Sequence, residues 1–87
     1  MKRPIVSSLG GLTLAEATAY MRLAKGDELQ AALALALDRN LLEGLDKLPD
    51  ALEVHHALFL LRRAQGQGAP SYDDVRVELR QKGMLAA

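Results

Sequence analysis

Two amphipathic segments dominate this chain, and both lie within residues 27–65, which read DELQAALALALDRNLLEGLDKLPDALEVHHALFLLRRAQ. In the first segment, leucines recur every four residues at positions 29, 33, 37 and 41, together with Ala32 and Ala36. The apolar positions of the second segment have helical spacing and are Ala51, Val54, Ala57, Leu58, Leu61 and Ala64. Apolar residues at this spacing form one face of an α-helix, so the sequence predicts two helices that each bury a face in the core.

Capping patterns mark where these two helices and two others begin. Four pairs of residues have the spacing of an N-cap, with Ser, Thr or Asp three residues before an acid or a Gln: Thr13 with Glu16, Asp27 with Gln30, Asp50 with Glu53, and Ser71 with Asp74. The N-cap side chain accepts hydrogen bonds from free N–H groups of the first turn. Gly26, Gly44 and Gly83 can end helices in the left-handed conformation. These signals predict helices over about residues 14–24, 28–42, 51–65 and 72–82.

The composition favours an all-α fold. The 87 residues include 18 Leu and 14 Ala but only seven β-branched residues, and aromatic residues make up 3% of the chain. Sheets are rich in β-branched and aromatic residues, which are scarce here. The sequence therefore predicts an all-α protein, a small bundle of about four helices in a single domain at residues 12–87. A flexible, extended N-terminal arm at residues 1–11 is predicted to precede it.

Composition and charge exclude several classes of function. The chain has no cysteine, and 11 basic side chains balance 11 acidic ones. A disulfide scaffold, a cysteine zinc site and a strong polyanion binder are therefore excluded. No apolar run approaches the roughly 18 residues of a membrane span, and the N-terminus lacks the apolar stretch of a signal peptide. We therefore expect a cytoplasmic protein that does not act at a membrane.

Side chains with catalytic or metal-binding chemistry do not form a recognisable site in the sequence. His55 and His56 are adjacent, so on a helix they point about 100° apart and cannot readily chelate one ion. Ser7, Ser8 and Ser71 have no neighbouring pattern of base and orienting residue. We expect a protein that is not an enzyme and that uses no metal, no cofactor and no small-molecule substrate.

Two pairs of large apolar residues lie outside the predicted core faces, and each pair has heptad spacing. Leu35 and Leu42 lie on the polar side of the second predicted helix, and Leu52 and Phe59 lie on the polar side of the third. Such a pair packs either under a neighbouring helix or against another protein. Both interpretations stay open at this stage: the first and last helices cover the pairs, or the pairs bind a partner.

The second interpretation predicts a partner-binding surface. Its candidate residues are Leu52, His56, Phe59 and Arg63, with Leu35 and Leu42 as a second surface. Leu and Phe side chains supply buried area in such a surface, Arg63 supplies a contact at its rim, and the histidines can tune binding near neutral pH. The expected partner is another protein or a second copy of this chain, in a homo-oligomer.

Residues 12–23, LTLAEATAYMRL, resemble the first helix of excisionase-type helix-turn-helix proteins. The resemblance implies that the next helix is a recognition helix whose N-terminus meets DNA. In this chain that helix opens with Asp27 and Glu28, which repel phosphates, and continues in Ala and Leu, which cannot read base edges. A DNA-associated regulator is therefore an alternative function, and nucleic acid is not the partner that we expect.

Residues 54–75 resemble part of the small tail-assembly chaperones of tailed bacteriophages. The shared pattern is an apolar helix that ends in LLRR at residues 60–63, a short Gly/Gln loop, and a helix start with the sequence PSYDDV at residues 70–75. Members of that family are not enzymes; they are largely helical and escort the tape-measure protein. The resemblance implies an assembly chaperone or adaptor that binds an apolar helical segment of a client. A self-assembling structural subunit is a further alternative.

Overall fold

A computed structural model describes residues 12–83 of the chain. Within that range there are four α-helices: α1 (Leu14–Leu23), α2 (Glu28–Leu42), α3 (Ala51–Ala64) and α4 (Tyr72–Gln81). The same range contains no β-strand. The predicted all-α bundle of about four helices is therefore confirmed. The predicted N-terminal arm at residues 1–11 lies outside the described residues.

Each helix begins at its predicted cap. Thr13 Oγ1 accepts a hydrogen bond from Glu16 N at 3.1 Å, and Glu16 Oε1 accepts one from Thr13 N at 2.9 Å. Asp50 and Glu53 form the same reciprocal pair, with both bonds at 2.8 Å. Asp27 and Ser71 cap α2 and α4. Each cap joins residues about three positions apart, so the sequence alone was enough to locate the helix starts accurately.

Left-handed residues end all four helices, and Gly83, with φ of 68°, follows α4 as predicted. Gly44 and Gly66, with φ of 76° and 74°, follow α2 and α3. Behind α1 the equivalent residue is Lys25, with φ of 55°, because the hydrogen bond from Gly26 N to Met21 O, at 2.9 Å, makes Lys25 the first residue past the cap. The sequence predicted Gly26 alone for this conformation, whereas both residues adopt it.

Helices α2 and α3 form the centre of the bundle. α1 packs against both of them, and α4 packs against α3 alone. The largest fully buried side chains are Tyr20, Leu35, Val54, Leu61 and Leu79, so every helix contributes to the core. The Tyr20 hydroxyl donates a 2.7 Å hydrogen bond to Asp38 Oδ2, which satisfies the phenol inside the core.

The predicted core face of α2 is partly wrong. Leu29 is buried, but Leu41, at the other end of the four-residue repeat, is 55% exposed. A step of four residues rotates about 40° beyond one full helical turn, so a long repeat of this kind winds around the helix and leaves the core. The predicted Ala32 and Ala36 are buried as well, but so are Ala31, Leu35 and Asn40, which lie outside the predicted face. On α3 the predicted core residues Val54, Ala57, Leu58 and Leu61 are buried, and the predicted Ala51 and Ala64 are half-buried against the core. Leu60 is buried too, which was not predicted.

Two polar interactions fix the helices around α3. Arg62 donates to both carboxylate oxygens of Glu28, at 3.1 Å each, and joins the end of α3 to the start of α2. This pairing raises the pKa of Arg62. The imidazole Nε2 of His55 donates to Pro70 O at 3.0 Å, and the His55 ring contacts the Tyr72 ring edge-on. The second interaction positions α4 on one side of α3.

Candidate protein-binding surface

The α3 face consists of Leu52, His56, Phe59 and Arg63. These residues are spaced four, three and four positions apart and therefore share a narrow arc of the helix. Leu52 is 63% exposed, and His56 and Arg63 are exposed as well. Phe59 is half-buried and packs against the core. The structure thus brings four of the six predicted contact residues onto one outward face.

The predicted second surface, formed by Leu35 and Leu42, does not exist as a surface. Leu35 has no exposed area and lies in the core, whereas Leu42 is 52% exposed. The physical reason is that α2 packs against both α1 and α3, so the side opposite the predicted core face is covered too. The prediction that Leu35 contacts a partner is therefore wrong, and Leu35 is a core residue.

The leucine corner consists of Leu41, Leu42, Leu45 and Leu48, at the end of α2 and in the connection to α3. All four are exposed, and Leu48 is 81% exposed. With Leu52 they form a run of five exposed leucines within 12 residues of chain. The prediction that Leu41 lies on the core face is therefore wrong, and Leu45 and Leu48 fall between the second and third predicted helices. The signal that could have found Leu45 and Leu48 is the presence of two leucines in a short segment predicted to lie outside the helices.

A small polar cleft lies between α2 and α3 beside the α3 face. Its volume is about 100 Å³, and its lining residues are Ala36, Arg39, Asn40, Glu43, Glu53 and His56. Ligand pockets are commonly about 300–1,000 Å³, so this cleft is too small to enclose an organic substrate. Asn40, the one polar residue buried among residues 12–83, has its amide 3.5 Å from both Lys47 O and Glu53 Oε2.

Glu53 organises the wall of this cleft. Its carboxylate lies 3.1 Å from Lys47 Nζ and accepts the hydrogen bond from Asp50 N that caps α3. Burial by itself raises the pKa of Glu53, but the hydrogen bonds from Asp50 N, Lys47 and Asn40 outweigh it and lower the pKa below its usual value. Glu53 therefore stays ionised as a structural carboxylate and is not poised as a general acid.

His56 links the α3 face to the cleft. Arg39 Nη1 lies 3.3 Å from His56 Nδ1, and because Arg can only donate, Nδ1 accepts and the ring proton resides on Nε2. Burial, followed by the positive charges of Arg39 and His55, lowers the pKa of His56. Arg39 Nε is buried within the cleft and has no hydrogen-bond partner among residues 12–83. The two adjacent histidines make different contacts: His55 with Pro70 O, and His56 with Arg39. In the described range, no three side chains that could bind a metal ion come together.

The start of α2 bears on the helix-turn-helix alternative. The Asp27 carboxylate accepts hydrogen bonds from the first turn of α2, and the Glu28 carboxylate binds Arg62. Both acids lie where a recognition helix would approach a phosphate backbone, and phosphates are repelled by carboxylates. α2 also packs against two helices. DNA binding through α2 stays a prediction that no contact in residues 12–83 favours.

Comparisons of the chain with protein-family models, with curated proteins and with solved structures found no match. None of the helices in the described part of the chain is long and apolar enough to span a bilayer. The resemblances to tail-assembly chaperones and to excisionase-type proteins therefore stay predictions. The α3 face and the leucine corner are the features from which a function can be argued.

Proposed function

We propose that this protein is a non-enzymatic interaction module, an assembly chaperone or adaptor that binds an apolar helical segment of a client protein. The observation that carries the proposal is the five exposed leucines within 12 residues of chain, four in the leucine corner and Leu52 on the α3 face. Large apolar side chains concentrated on the surface of a small soluble domain are a mark of a binding surface. The proposal places the protein in the cytoplasm and assigns it no cofactor.

The shape of the surface favours a helix as the bound segment. Leu52 and Phe59 are seven residues apart on α3, which is the spacing at which side chains of a packed helix interdigitate with those of its neighbour. An amphipathic helix that lies along such a row presents anchors at matching spacing. His56 lies between Leu52 and Phe59 along α3, and Arg63 follows Phe59. These two side chains supply polar contacts beside the apolar anchors.

The leucine corner is held in place before any client arrives. Leu45 N donates to Asn40 O at 2.8 Å, which closes the end of α2 around Gly44. The Asn40 side chain then reaches Lys47 O and Glu53 across the connection. A surface that is already ordered costs less conformational entropy on binding. The resemblance of residues 54–75 to tail-assembly chaperones agrees with a client-binding role.

A synthetic amphipathic peptide with leucines at heptad spacing tests this proposal. We expect the peptide to shift the backbone amide NMR signals of the leucine corner and the α3 face, while a scrambled peptide of equal composition leaves them in place. Leu48→Ser should weaken binding several-fold because it removes an exposed apolar anchor. Val77→Ser on α4, also at an exposed apolar position, is the matched control and should not change binding.

Two outcomes would count against the proposal. Equal binding of the scrambled peptide would show that the leucines act as a non-specific sticky patch, and equal affinity of the Leu48→Ser and Val77→Ser variants would remove the leucine corner from the site. Retention on DNA at moderate ionic strength, weakening steeply as salt is added, would support the helix-turn-helix alternative instead.

A further inference from the structure

We propose that the helix bound by the leucine corner is a basic one, with lysine or arginine beside its apolar anchors. This inference rests on the proposed function, because it names the charge of the client segment that the corner binds. It is carried by two exposed carboxylates, those of Glu43 and Asp46, which lie between the leucines of the corner.

The end of α2 and the start of its connection to α3 form one compact turn. Leu45 N donates to Asn40 O at 2.8 Å, and the Asn40 amide lies 3.5 Å from Lys47 O. Both bonds tie the connection to the last turn of α2. Glu43 and Asp46 lie within this turn, and each directly follows a leucine of the corner in the chain. The carboxylates and the leucines therefore share one small exposed region.

The protein itself does not neutralise these two carboxylates. Within residues 12–83, neither Glu43 nor Asp46 makes an ion pair or a side-chain hydrogen bond. The nearest basic side chains in the sequence are those of Arg39 and Lys47. Lys47 Nζ lies 3.1 Å from Glu53 Oε1, whereas Arg39 is half-buried in the polar cleft and makes no ion pair with Glu43. The charge available to a partner beside the leucines is therefore negative.

A basic amphipathic helix complements this arrangement. When its leucines pack on the leucine corner, a neighbouring lysine or arginine approaches Glu43 or Asp46, whereas an acid in the same place is repelled. The methylene stem of a long basic side chain also covers apolar surface while its charged end reaches the rim. Each exposed pair of this kind changes affinity by about 1.5- to 5-fold. The same carboxylates repel an anionic lipid surface, so a protein helix is the occupant that the charges favour.

Three helical peptides with the same heptad leucines test the inference, with Lys, Gln or Glu at every position beside the leucines. In fluorescence anisotropy titrations we expect the Lys peptide to bind most tightly and the Glu peptide most weakly. The advantage of the Lys peptide should shrink as salt is added, because exposed charges are screened. A Lys peptide with serine in place of leucine should not bind. Equal affinities of the Lys and Gln peptides, or retained binding of the serine peptide, would overturn the inference.

Variants of the full chain show whether the two carboxylates cause the preference. Glu43→Gln and Asp46→Asn should each weaken binding of the Lys peptide by about 1.5- to 5-fold and leave the Gln peptide unaffected. Asp73→Asn, at an exposed acid in the first turn of α4, is the matched control and should change neither affinity. The double variant with Glu43→Lys and Asp46→Lys should bind the Glu peptide more tightly than the Lys peptide. A preference for Lys that survives in this double variant contradicts the assignment.

The outcomes separate this inference from the proposed function. If all three peptides bind equally well and Leu48→Ser weakens each of them, the proposed function stands and the basic preference is wrong. If none of the peptides binds, both are wrong. A dimer of the full chain that Leu48→Ser dissociates, or binding to lipid vesicles that Leu48→Ser abolishes, would show that a second copy or a membrane occupies the corner and would overturn the inference.

Discussion

The apolar pairs of α2 and α3 look alike in the sequence and differ in the structure. Leu35 and Leu42 on α2, and Leu52 and Phe59 on α3, are each seven residues apart on the polar side of their helix. Leu35 lies in the core, whereas Leu52 lies in solvent and only Phe59 touches the core. Heptad spacing shows that two residues share a face of a helix, but the neighbouring helices decide whether that face is covered.

Leu35 and Leu42 differ in exposure because α1 is shorter than α2. α1 has 10 residues and α2 has 15, so the two helices are about 15 Å and about 22 Å long. The shorter helix cannot cover the longer one from end to end. Leu35 near the middle of α2 is buried, and Leu42, the last residue of α2, is left exposed beside the connection.

The largest expected effect comes from truncating the buried member of the α2 pair. Leu35→Ala should lower the free energy of unfolding by about 2–5 kcal/mol, because it removes buried apolar area and leaves a cavity. Leu42→Ala should change it by less than about 0.5 kcal/mol, as at other exposed positions. Urea unfolding followed by circular dichroism measures the free energy of unfolding of both variants. Equal losses would contradict the difference in burial between Leu35 and Leu42.

Truncation of Phe59 on α3 should lower the free energy of unfolding more than truncation of Leu52, but by a smaller margin than for the α2 pair. Phe59→Ala is expected to cost about 2 kcal/mol, roughly half the loss at a fully buried Phe, because only part of the ring packs against the core. Leu52→Ala should be nearly neutral for stability. A loss at Leu52 comparable to that at Phe59 in dilute protein would mean that Leu52 is packed against the chain's own core.

The end of α2 supplies a third test, because Gly44 separates the two leucines of the corner on α2 from the two in the connection. Gly44→Ala should cost about 1 kcal/mol, since an L-residue is strained at this left-handed position. An added Cβ meets no atom within 4 Å there, so the cost arises from the backbone and not from crowding. Gly68→Ala is the matched control: its surroundings are equally open and its φ is not left-handed. Similar stabilities for the two variants would contradict the left-handed ending of α2.

The smallest effect is a dependence of stability on pH at His56. Its pKa in the fold is lowered from the usual value of 6.5, so the unfolded chain binds the proton more tightly. The contribution of His56 to the free energy of unfolding should therefore be fully present above about pH 6.5. It should decline as the pH falls through that value towards the lowered pKa. His56→Asn keeps an acceptor near Arg39 and does not titrate in this range. Chemical denaturation at several pH values should show a shallower decline for this variant, and identical profiles would exclude His56 as the cause.

Local chemistry explains what could be predicted from the sequence. The caps at Thr13 and Asp50 act within three residues, so the helix boundaries were predicted closely. The burial of Leu35 depends on α1 and α3, and the bond from Tyr20 to Asp38 spans 18 residues; neither follows from a local pattern. On the α3 face, spacing along one helix was enough to group Leu52, His56, Phe59 and Arg63. Leu41 and Leu42 in the leucine corner were missed because their exposure depends on which helices cover the end of α2.

The attachment of α4 has a consequence for how the molecule moves. α4 packs against α3 alone, through Val75 and Leu79 and the contact of His55 with Pro70. An element held on one side can detach while the remaining helices keep their packing, so we expect α4 to be one of the first units to open. Its amide hydrogens should exchange with solvent sooner than those of α2. Detachment of α4 would expose the residues of α3 that α4 covers and so enlarge the apolar area on that helix.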